Sequence, residues 1–307
     1  MLINITDCWP RKIQEKHDKY IKDVIKKSEP HSCVLLDHFI RDYGGEIALA
    51  PADRLKAIII DIESRLVKLS DEERNNFHMA CKKTFNYSYF SSKSKPGWNA
   101  YALCSGAIYK LCPYCQLTNI DTIISTSSEL SLRPPLDHFY SQDYYPYLSL
   151  ALYNLVPSCH PCNSSLKSTK NFFEIPHLHP YCSTESVSHK LDVDDYLSYL
   201  MAEGITATPK VMISAPDSEN INYAEARNSI NTFLMEERLA KHQEEVSKLT
   251  SRLRIYRPER IPELEKVFGL GFFITAERTL LDFCRSDYKN ELLGVAKKDM
   301  YDLLWKK

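Results

Sequence analysis

The sequence predicts a mainly α-helical protein with one small β-containing segment, which is an α+β fold. Two observations carry this prediction. Helical patterns flank residues 111–170 on both sides, including an apolar stripe within Arg11–Lys27 and a long pattern from Asn222 to about Ile255. Within residues 111–170, two Cys-x-x-Cys pairs bracket a predicted β-hairpin. A zinc ion held by such pairs can staple a hairpin that is too small to be stable alone.

Length and composition are those of an ordinary globular protein. The 307 residues are 44% hydrophobic and 26% charged. No apolar run approaches the roughly 20 residues of a membrane span, and the N-terminus lacks the pattern of a signal peptide. Ten cysteines without a secretion signal fit a reducing compartment, so we expect a cytoplasmic protein with no membrane partner.

Charge is distributed unevenly along the chain. The formal net charge of −1 gives no indication of a nucleic-acid partner. Residues 99–182 carry four basic and five acidic side chains, so any grip on nucleic acid must come from flanking segments or from a partner. Residues 238–260 carry seven Lys or Arg against three Glu, which fits either a backbone-binding stripe or a solvated helix face.

Periodicity and capping signals predict the elements in chain order. Residues 1–30 contain a helix ended by Pro30, and Ser70 with Glu73 forms a capping box. Asn222 is the predicted cap of the long helix that Pro258 ends. The remaining predictions are helices at 52–69, 71–83, 98–111, 262–268 and 275–288 with a short one at the end, a loop at 91–97, strands at 136–140, 154–158 and 210–214, and a helix opened by Asn163.

Three regions follow from this organisation. Residues 1–98 form an N-terminal helical region, residues 99–182 form the core with the cysteine pairs, and residues 183–307 form a mainly helical C-terminal region. In the core, the four paired cysteines are predicted to bind one structural zinc, since four thiolates leave no open coordination position. The alternatives are four unrelated buried cysteines, or His160 in place of one thiolate. The zinc ligands are Cys112, Cys115, Cys159 and Cys162.

Residues around the second cysteine pair resemble a known family. Asp137-His138, Asn154 and Cys162-Asn163, in this order, resemble the HNH (ββα-metal) endonucleases of the subtype with two Cys pairs. The phrases Pro135-Leu-Asp-His-Phe-Tyr and Tyr153-Asn-Leu-Val-Pro-Ser-Cys are similar to HNH subunits that act with an ATPase in Septu-type and retron-associated antiphage systems. The resemblance covers about 60 residues, so it implies an embedded ββα-metal motif in the α+β fold.

The resemblance implies roles for individual residues. His138 is the general base that activates water, and Asp137 and Asn163 ligate a catalytic Mg²⁺ or Mn²⁺. Asn154 orients His138. The alternatives are a hairpin pair satisfied by local hydrogen bonds for Asp137 and His138, a helix N-cap for Asn163, and a structural hydrogen bond for Asn154. The predicted nucleic-acid contacts are Lys167, Lys170 and Tyr140, although Lys167 stands one residue later than the subgroup places its lysine, and tyrosines in this loop are commonly packing residues.

The predicted function is metal-dependent hydrolysis of phosphodiester bonds by an HNH endonuclease, with DNA favoured as substrate. The resemblance implies a role in antiviral defence with an ATPase partner. Cleavage of RNA such as tRNA is the first alternative. A zinc-knuckle module that binds nucleic acid without cutting it is the second, and an interaction subunit whose 222–255 helix docks the ATPase is the third.

Overall fold

The computed structural model describes residues 2–29, 33–125, 130–192, 194–195, 197, 201, 210–268 and 277–305. Contacts divide the chain into two units. The hairpin unit comprises residues 4–110 and 119–184, and the C-terminal unit comprises residues 1–3, 111–118 and 185–307. Helices predominate, and the strands of the described residues form three two-stranded antiparallel sheets, so the fold is mixed α and β as predicted. No helix in these ranges is long and apolar enough to span a bilayer.

Six helices open the hairpin unit. The first, α1, buries His17, Ile21 and Ile25 on one face, as its apolar stripe predicts. Ser70 caps α4 as predicted, because its hydroxyl accepts the Glu73 N–H and the Glu73 carboxylate accepts the Ser70 N–H. The helices are α1 (Arg11–Lys27), α2 (Val34–Tyr43), α3 (Ala52–Leu66), α4 (Asp71–Thr84), α5 (Tyr87–Ser91) and α6 (Ala100–Cys104).

The predicted helix at 98–111 is wrong beyond its first turn. Asn99 caps the helix by accepting the Ala102 N–H, but α6 ends at Cys104. Gly106 follows in close contact with Ile13 of α1, where a Cβ would overlap the isoleucine side chain. The chain turns there so that α1 can pack against it, and a turn at this point ends the helix.

The predicted hairpin is confirmed. Strand β3 (Leu136–His138) pairs with β4 (Leu155–Pro157) in antiparallel register, with Asp137 opposite Val156. All six residues are buried, so neither face of this sheet is solvated. The connection contains 3₁₀ turns at Pro146–Leu148 and Leu152–Asn154. Two exposed residue pairs, β1 (Ile123–Ile124) and β2 (Ser131–Leu132), form a second small sheet.

A π-helix from Pro161 to Lys167 follows the hairpin. His160 occupies the N-cap position, so the helix begins two residues before Asn163, and Asn163 is not the N-cap. The Ser168 N–H donates to the Asn163 carbonyl, which is the wide i to i+5 pattern of a π-helix. This wider turn determines which side chains of the helix face the hairpin.

The C-terminal unit combines a small sheet with helices. Strand β5 (Ser188–Leu191) pairs with β6 (Val211–Ser214), the latter close to the predicted 210–214. A short 3₁₀ turn lies at Pro258–Arg260. The predicted 275–288 helix is wrong in the described residues, which have a π-helical turn at Glu277–Leu281 and a 3₁₀ turn at Arg285–Asn290; residues 275 and 276 lie outside the described chain. The helices are α7 (Tyr223–Thr232), α8 (Met235–Lys241), α9 (Gln243–Ile255), α10 (Ile261–Phe268) and α11 (Gly294–Leu304).

The predicted continuous helix from Asn222 to Ile255 is wrong. The segment is three helices, broken at Leu234 and at His242, and Asn222 makes no side-chain cap. Leu234 has a left-handed φ of 48°, which costs free energy for a residue with a side chain. The break lets both Phe233 and Met235 be buried, whereas positions two apart on a continuous helix lie on nearly opposite faces. Phe233 stacks on Tyr114 with a centroid distance of 4.4 Å.

Candidate functional site

The four paired cysteines form one buried cluster. Their Sγ atoms all lie within 4.8 Å of one another. Thiolates bound at about 2.3 Å in a tetrahedron around zinc lie about 3.8 Å apart, so the cluster fits a single zinc ion. Among the described residues no other group of His, Cys, Asp or Glu comes together in this way. His160 is exposed and outside the cluster, which removes it as a substitute ligand. The cluster can therefore hold a structural zinc.

Backbone hydrogen bonds shape the two cysteine turns. In the first, the Gln116 N–H donates to the Cys112 carbonyl over 2.8 Å, and Gln116 takes a left-handed φ of 49°. The Leu117 N–H points at the Cys115 Sγ over 3.4 Å, as amides do toward metal-bound thiolates. In the second, the Asn163 N–H donates to the Cys159 carbonyl over 3.0 Å. Each pair is thus a tight turn that aims two thiols at one point.

Beside the second cysteine turn lies a cleft of about 520 Å³ in the hairpin unit. Strand β3 contributes Asp137 and His138, and the π-helix contributes Asn163 and Lys167. The structure therefore brings together three of the four residues that the resemblance implies in catalysis, without Asn154, and one of the predicted nucleic-acid contacts. The other side chains at its wall are mainly polar or aromatic, and include Tyr87, Tyr101, Arg133, Ser141, Gln142, Asp143 and Ser168.

Asp137 and Lys167 form a buried ion pair. The Lys167 Nζ lies 2.6 Å from Asp137 Oδ1, and both side chains are 3% exposed. Lys167 also donates to the His138 carbonyl. Burial lowers the pKa of Lys167, and the Asp137 carboxylate opposes that shift. Lys167 is thus held inside the cleft wall by Asp137, whereas the sequence predicts it as a nucleic-acid contact.

His138 is buried and held in one tautomer. Its Nε2 lies 2.9 Å from the Ser149 carbonyl, which only accepts hydrogen bonds, so the neutral ring carries its proton on Nε2. Tyr87 packs edge-on against the ring at a centroid distance of 4.4 Å. Burial lowers the pKa of His138 to about 4, against the partial compensation of the Ser149 carbonyl and Asp137. The imidazole is therefore neutral near pH 7, with its unprotonated nitrogen, Nδ1, able to accept a proton.

The donor atoms of the cleft suit a hard divalent cation. Asp137 offers carboxylate oxygen and Asn163, half-buried in the third position of the π-helix, offers an amide oxygen. Two oxygen side chains with room for several waters are the kind of site that Mg²⁺ occupies. The Lys167 ammonium already compensates part of the Asp137 charge, which favours weak over tight binding of such an ion.

Asn154 binds the loop rather than the His138 ring. Its Oδ1 accepts the Tyr140 N–H over 2.8 Å, and its Nδ2 donates to the carbonyls of Tyr140 and Leu148 over 3.0 and 3.1 Å. These bonds match the structural alternative. They fix Leu148, the neighbour of Ser149, so Asn154 acts on His138 only through the loop that carries the Ser149 carbonyl.

Two predicted nucleic-acid contacts lie away from the cleft walls. Tyr140 is 6% exposed and packs edge-on against Phe139, which is the packing role left open above. Lys170 is exposed, and its ammonium donates to the Leu166 carbonyl. The basic segment 238–260 is divided by the break at His242, and within it Lys248 pairs with two glutamates. Within the hairpin unit, neither Tyr140 nor Lys170 is among the residues that line the cleft.

Three cleft residues carried no functional signal in the sequence. Tyr87 packs on His138, and its pKa is raised by burial to about 12 with a lowering contribution from Arg133. The Arg133 guanidinium lies 5.2 Å from the Tyr101 ring, and its Nε is buried without a hydrogen-bond partner. Tyr87, Tyr101 and Arg133 come from three separate segments, so no local pattern links them to the cleft. The one sequence signal is Pro134-Pro135, which predicts an extended backbone between Arg133 and β3.

Comparisons with known proteins give no further information on this site. No protein-family model, no curated protein and no solved structure matches the chain. The conclusions on function therefore depend on the residues and geometry described above.

Proposed function

We propose that this protein is a metal-dependent HNH-type endonuclease that hydrolyses phosphodiester bonds, with DNA as the favoured substrate. One observation supports this most. A single cleft beside the four-cysteine cluster gathers Asp137, His138 and Asn163, the residues whose order resembles the HNH motif. An oxygen donor pair and a neutral imidazole in one polar cleft are the groups that metal-assisted phosphodiester hydrolysis requires.

His138 is the proposed general base. The Ser149 carbonyl holds its Nε2–H, so the lone pair is on Nδ1 of a ring that lines the cleft. A water oxygen would attack phosphorus as its proton passes to Nδ1. The bond from phosphorus to the leaving ester oxygen then breaks, and solvent protonates that oxygen. Tyr87 packs on one side of the ring and restricts its rotation, which keeps the base in position.

Asp137 and Asn163 are the proposed ligands of the catalytic cation. When bound there, Mg²⁺ or Mn²⁺ would stabilise negative charge on the phosphorus oxygens as a Lewis acid. Lys167 holds the Asp137 carboxylate in place and adds positive charge to the same wall of the cleft. Arg133 also lines the cleft and adds a second positive group, which would attract a substrate phosphate.

The test is a cleavage assay with zinc-loaded protein. Supercoiled plasmid and bulk tRNA are incubated separately with Mg²⁺, Mn²⁺ or EDTA. We expect nicking of plasmid that requires the divalent ion and disappears in His138→Ala, but persists in His160→Ala, a matched control at an exposed histidine. Cleavage of tRNA alone would replace DNA by RNA as the substrate. Cleavage that survives in His138→Ala would contradict the assignment of the base.

The proposed partner is an ATPase of the same antiphage system. This part of the proposal depends on the sequence resemblance. The sequence predicts one continuous 222–255 helix as the element that docks the ATPase. The structure has three helices there, so α7, α8 and α9 would each have to contribute to the docking surface. Copurification of the ATPase with the tagged nuclease from the native operon supports the partnership, and recovery of the nuclease alone excludes it. If neither nucleic acid is cut even with the partner added, the zinc-knuckle binding module becomes the better explanation.

A further inference from the structure

A second cavity lies in the hairpin unit, outside the residues that resemble the HNH motif. Its volume is about 660 Å³, and it is formed by α1, the end of α4, α5 and the loop after α5. Lys27, Lys83 and Lys95 line it together with Tyr20 and Tyr89. These five residues are called the lysine–tyrosine pocket. Three cations in one concave surface create a positive potential that attracts anions.

Lys95 is the buried member of the pocket. The residue is only 7% exposed, and its ammonium lies 4.5 Å from the Tyr20 ring centroid and 5.5 Å from that of Tyr89. It also donates to the Trp98 carbonyl. Burial and the neighbouring Lys27 both lower the pKa of Lys95. The charge is thus partly desolvated and is repelled by a second lysine.

The pocket has more positive than negative side chains among its described lining residues. Asp23 is the one acidic residue at the wall of the pocket, and in the described part of the chain no carboxylate forms an ion pair with Lys27, Lys83 or Lys95. A bound anion would supply the missing counter-charge to a cation that the fold has already desolvated. The Tyr89 ring beside it is 55% exposed, and an accessible aromatic ring next to cations is the combination used to bind nucleic-acid strands without sequence preference.

The pocket and the candidate active site share one short helix. Helix α5 carries Tyr87, which contacts the His138 ring, and Tyr89, which lines the lysine–tyrosine pocket. Positions two apart on a helix point to nearly opposite sides, so α5 separates the two cavities by its own width. A strand that leaves one cavity around α5 therefore reaches the other within a few nucleotides.

We propose that the lysine–tyrosine pocket binds the phosphate backbone of a single nucleic-acid strand and so holds the substrate next to the cleavage site. This inference rests on the proposed nuclease function and assigns part of its substrate grip. Residues 99–182 carry four basic and five acidic side chains, so a nuclease site there needs flanking segments to bind the substrate. Lys27, Lys83 and Lys95 lie in such a flanking segment.

The test measures binding without cleavage. All proteins carry His138→Ala and are titrated, without added Mg²⁺, into a fluorescein-labelled single-stranded thymidine oligonucleotide. Lys27→Gln/Lys83→Gln removes two exposed lysines of the pocket. Lys12→Gln/Lys26→Gln is the matched control, since it makes the same charge change at exposed positions of α1 outside the pocket. Thermal denaturation confirms that each protein is folded.

We expect the pocket variant to bind about tenfold more weakly at low salt, and the slope of log affinity against log salt to fall by about 1.4, because each phosphate contact on a single strand contributes about 0.7. The control variant should stay within about twofold of its parent. Equal affinities and slopes for the two double variants would overturn the proposal. A second outcome would also overturn the proposal. Inorganic triphosphate would raise the melting temperature of the parent but not of the pocket variant, while the two proteins bound the oligonucleotide equally. The pocket would then bind a free polyphosphate.

The plasmid assay separates this proposal from the nuclease itself. If the pocket variant of the otherwise native protein binds and cuts like the wild type, the pocket proposal falls and the nuclease stands. If no protein cuts nucleic acid even with the ATPase partner added, but the pocket variant loses oligonucleotide binding, the pocket stands and the nuclease falls.

Discussion

Lys167 shows how strongly one residue can depend on local helix geometry. The sequence places it near the candidate site and predicts a contact with nucleic acid. In the structure the π-helix turns it inward, where it donates to Asp137 and to the His138 carbonyl. The wider turn of the π-helix determines the side of the helix on which Lys167 lies, and so brings its ammonium to the hairpin.

Removing Lys167 should therefore destabilise the fold. In Lys167→Met the buried Asp137 carboxylate loses its charged partner, which costs about 3 kcal/mol in the free energy of unfolding. Lys170→Met, at an exposed lysine of the same segment, should change it by less than about 0.5 kcal/mol. Urea denaturation at pH 7.5 measures both. Equal stability of the two variants would show that the ion pair does not hold the site together.

The residues of the cleft differ in whether the sequence predicts them. Asp137, His138 and Asn163 could be predicted because they lie in one ordered motif of about 27 residues. Tyr87 and Arg133 could not, since nothing local links a tyrosine on α5 to a histidine on β3. Their approach follows from the packing of the hairpin against the helices, and packing of distant segments leaves no periodic signal in the sequence.

At the scale of elements, the hairpin and the π-helix need a staple. Strands β3 and β4 have three residues each, which is too short for independent stability. Cys159 and Cys162 lie where β4 passes into the π-helix, so a metal bound there fixes the angle between the elements that carry Asp137 and Asn163. The cysteine spacing predicted this cluster, because the ligands of a zinc site come in close pairs.

The zinc content of purified variants tests whether the four-cysteine cluster holds the metal. We expect one zinc ion per chain in the wild type and in Cys182→Ser, whose thiol is exposed and outside the cluster. Cys159→Ser/Cys162→Ser should contain almost none and should lose several degrees of thermal stability. Metal analysis by mass spectrometry with a melting curve measures both quantities. Full zinc occupancy in the double variant would show that the ion binds elsewhere.

Elements outside the zinc region were predicted with mixed success for identifiable reasons. The capping box at Ser70 is a local signal, and α4 begins where it predicts. The helix assigned to 222–255 has an unbroken apolar pattern, but its pattern does not show that Phe233 and Met235 are both buried. That requirement comes from tertiary packing around Tyr114, and it is met by the break at Leu234.

At the scale of the molecule, buried neutral histidines make stability depend on pH. His17 is the clearest case, since its Nε2 donates to the Leu150 carbonyl over 2.7 Å and its Nδ1 accepts the Trp98 indole N–H over 3.2 Å. Both ring nitrogens are thus satisfied only in the neutral form. Burial lowers the pKa of His17 to about 4, with small opposing contributions from Leu150 and Asp18. His179 and His189 are buried with pKa values lowered to about 3 and about 4.

Acid should therefore destabilise the protein well above pH 4. Below about pH 6.5 the unfolded state binds protons that folded His17 does not, so stability present at higher pH is lost as pH falls toward 4. Between pH 7.5 and 5.5 this amounts to roughly 1 kcal/mol for His17 alone. His17→Gln should lower stability at pH 7.5 and reduce the pH dependence, whereas His160→Gln should leave the pH dependence unchanged. Urea denaturation at pH 7.5 and pH 5.5 measures the free energy of unfolding of each variant. An unchanged pH dependence in His17→Gln would refute the assignment of His17 as a group that makes stability depend on pH.

The fold class and the site location could thus be predicted from the sequence, whereas the walls of the cleft and the lysine–tyrosine pocket could not. Lys27, Lys83 and Lys95 lie on three different segments, and consecutive members are 56 and 12 positions apart. Each alone is an ordinary surface-type residue. Only the packing of α1, α4 and the loop after α5 makes them neighbours.

The most direct test of the nuclease assignment is the ratio of plasmid nicking rates between His160→Ala and His138→Ala, measured with Mg²⁺ on proteins of equal zinc content and equal melting temperature. Loss of a general base predicts a ratio of about 10² or more. A ratio near one, with both rates dependent on Mg²⁺, would contradict the role of His138 and with it the proposed active site.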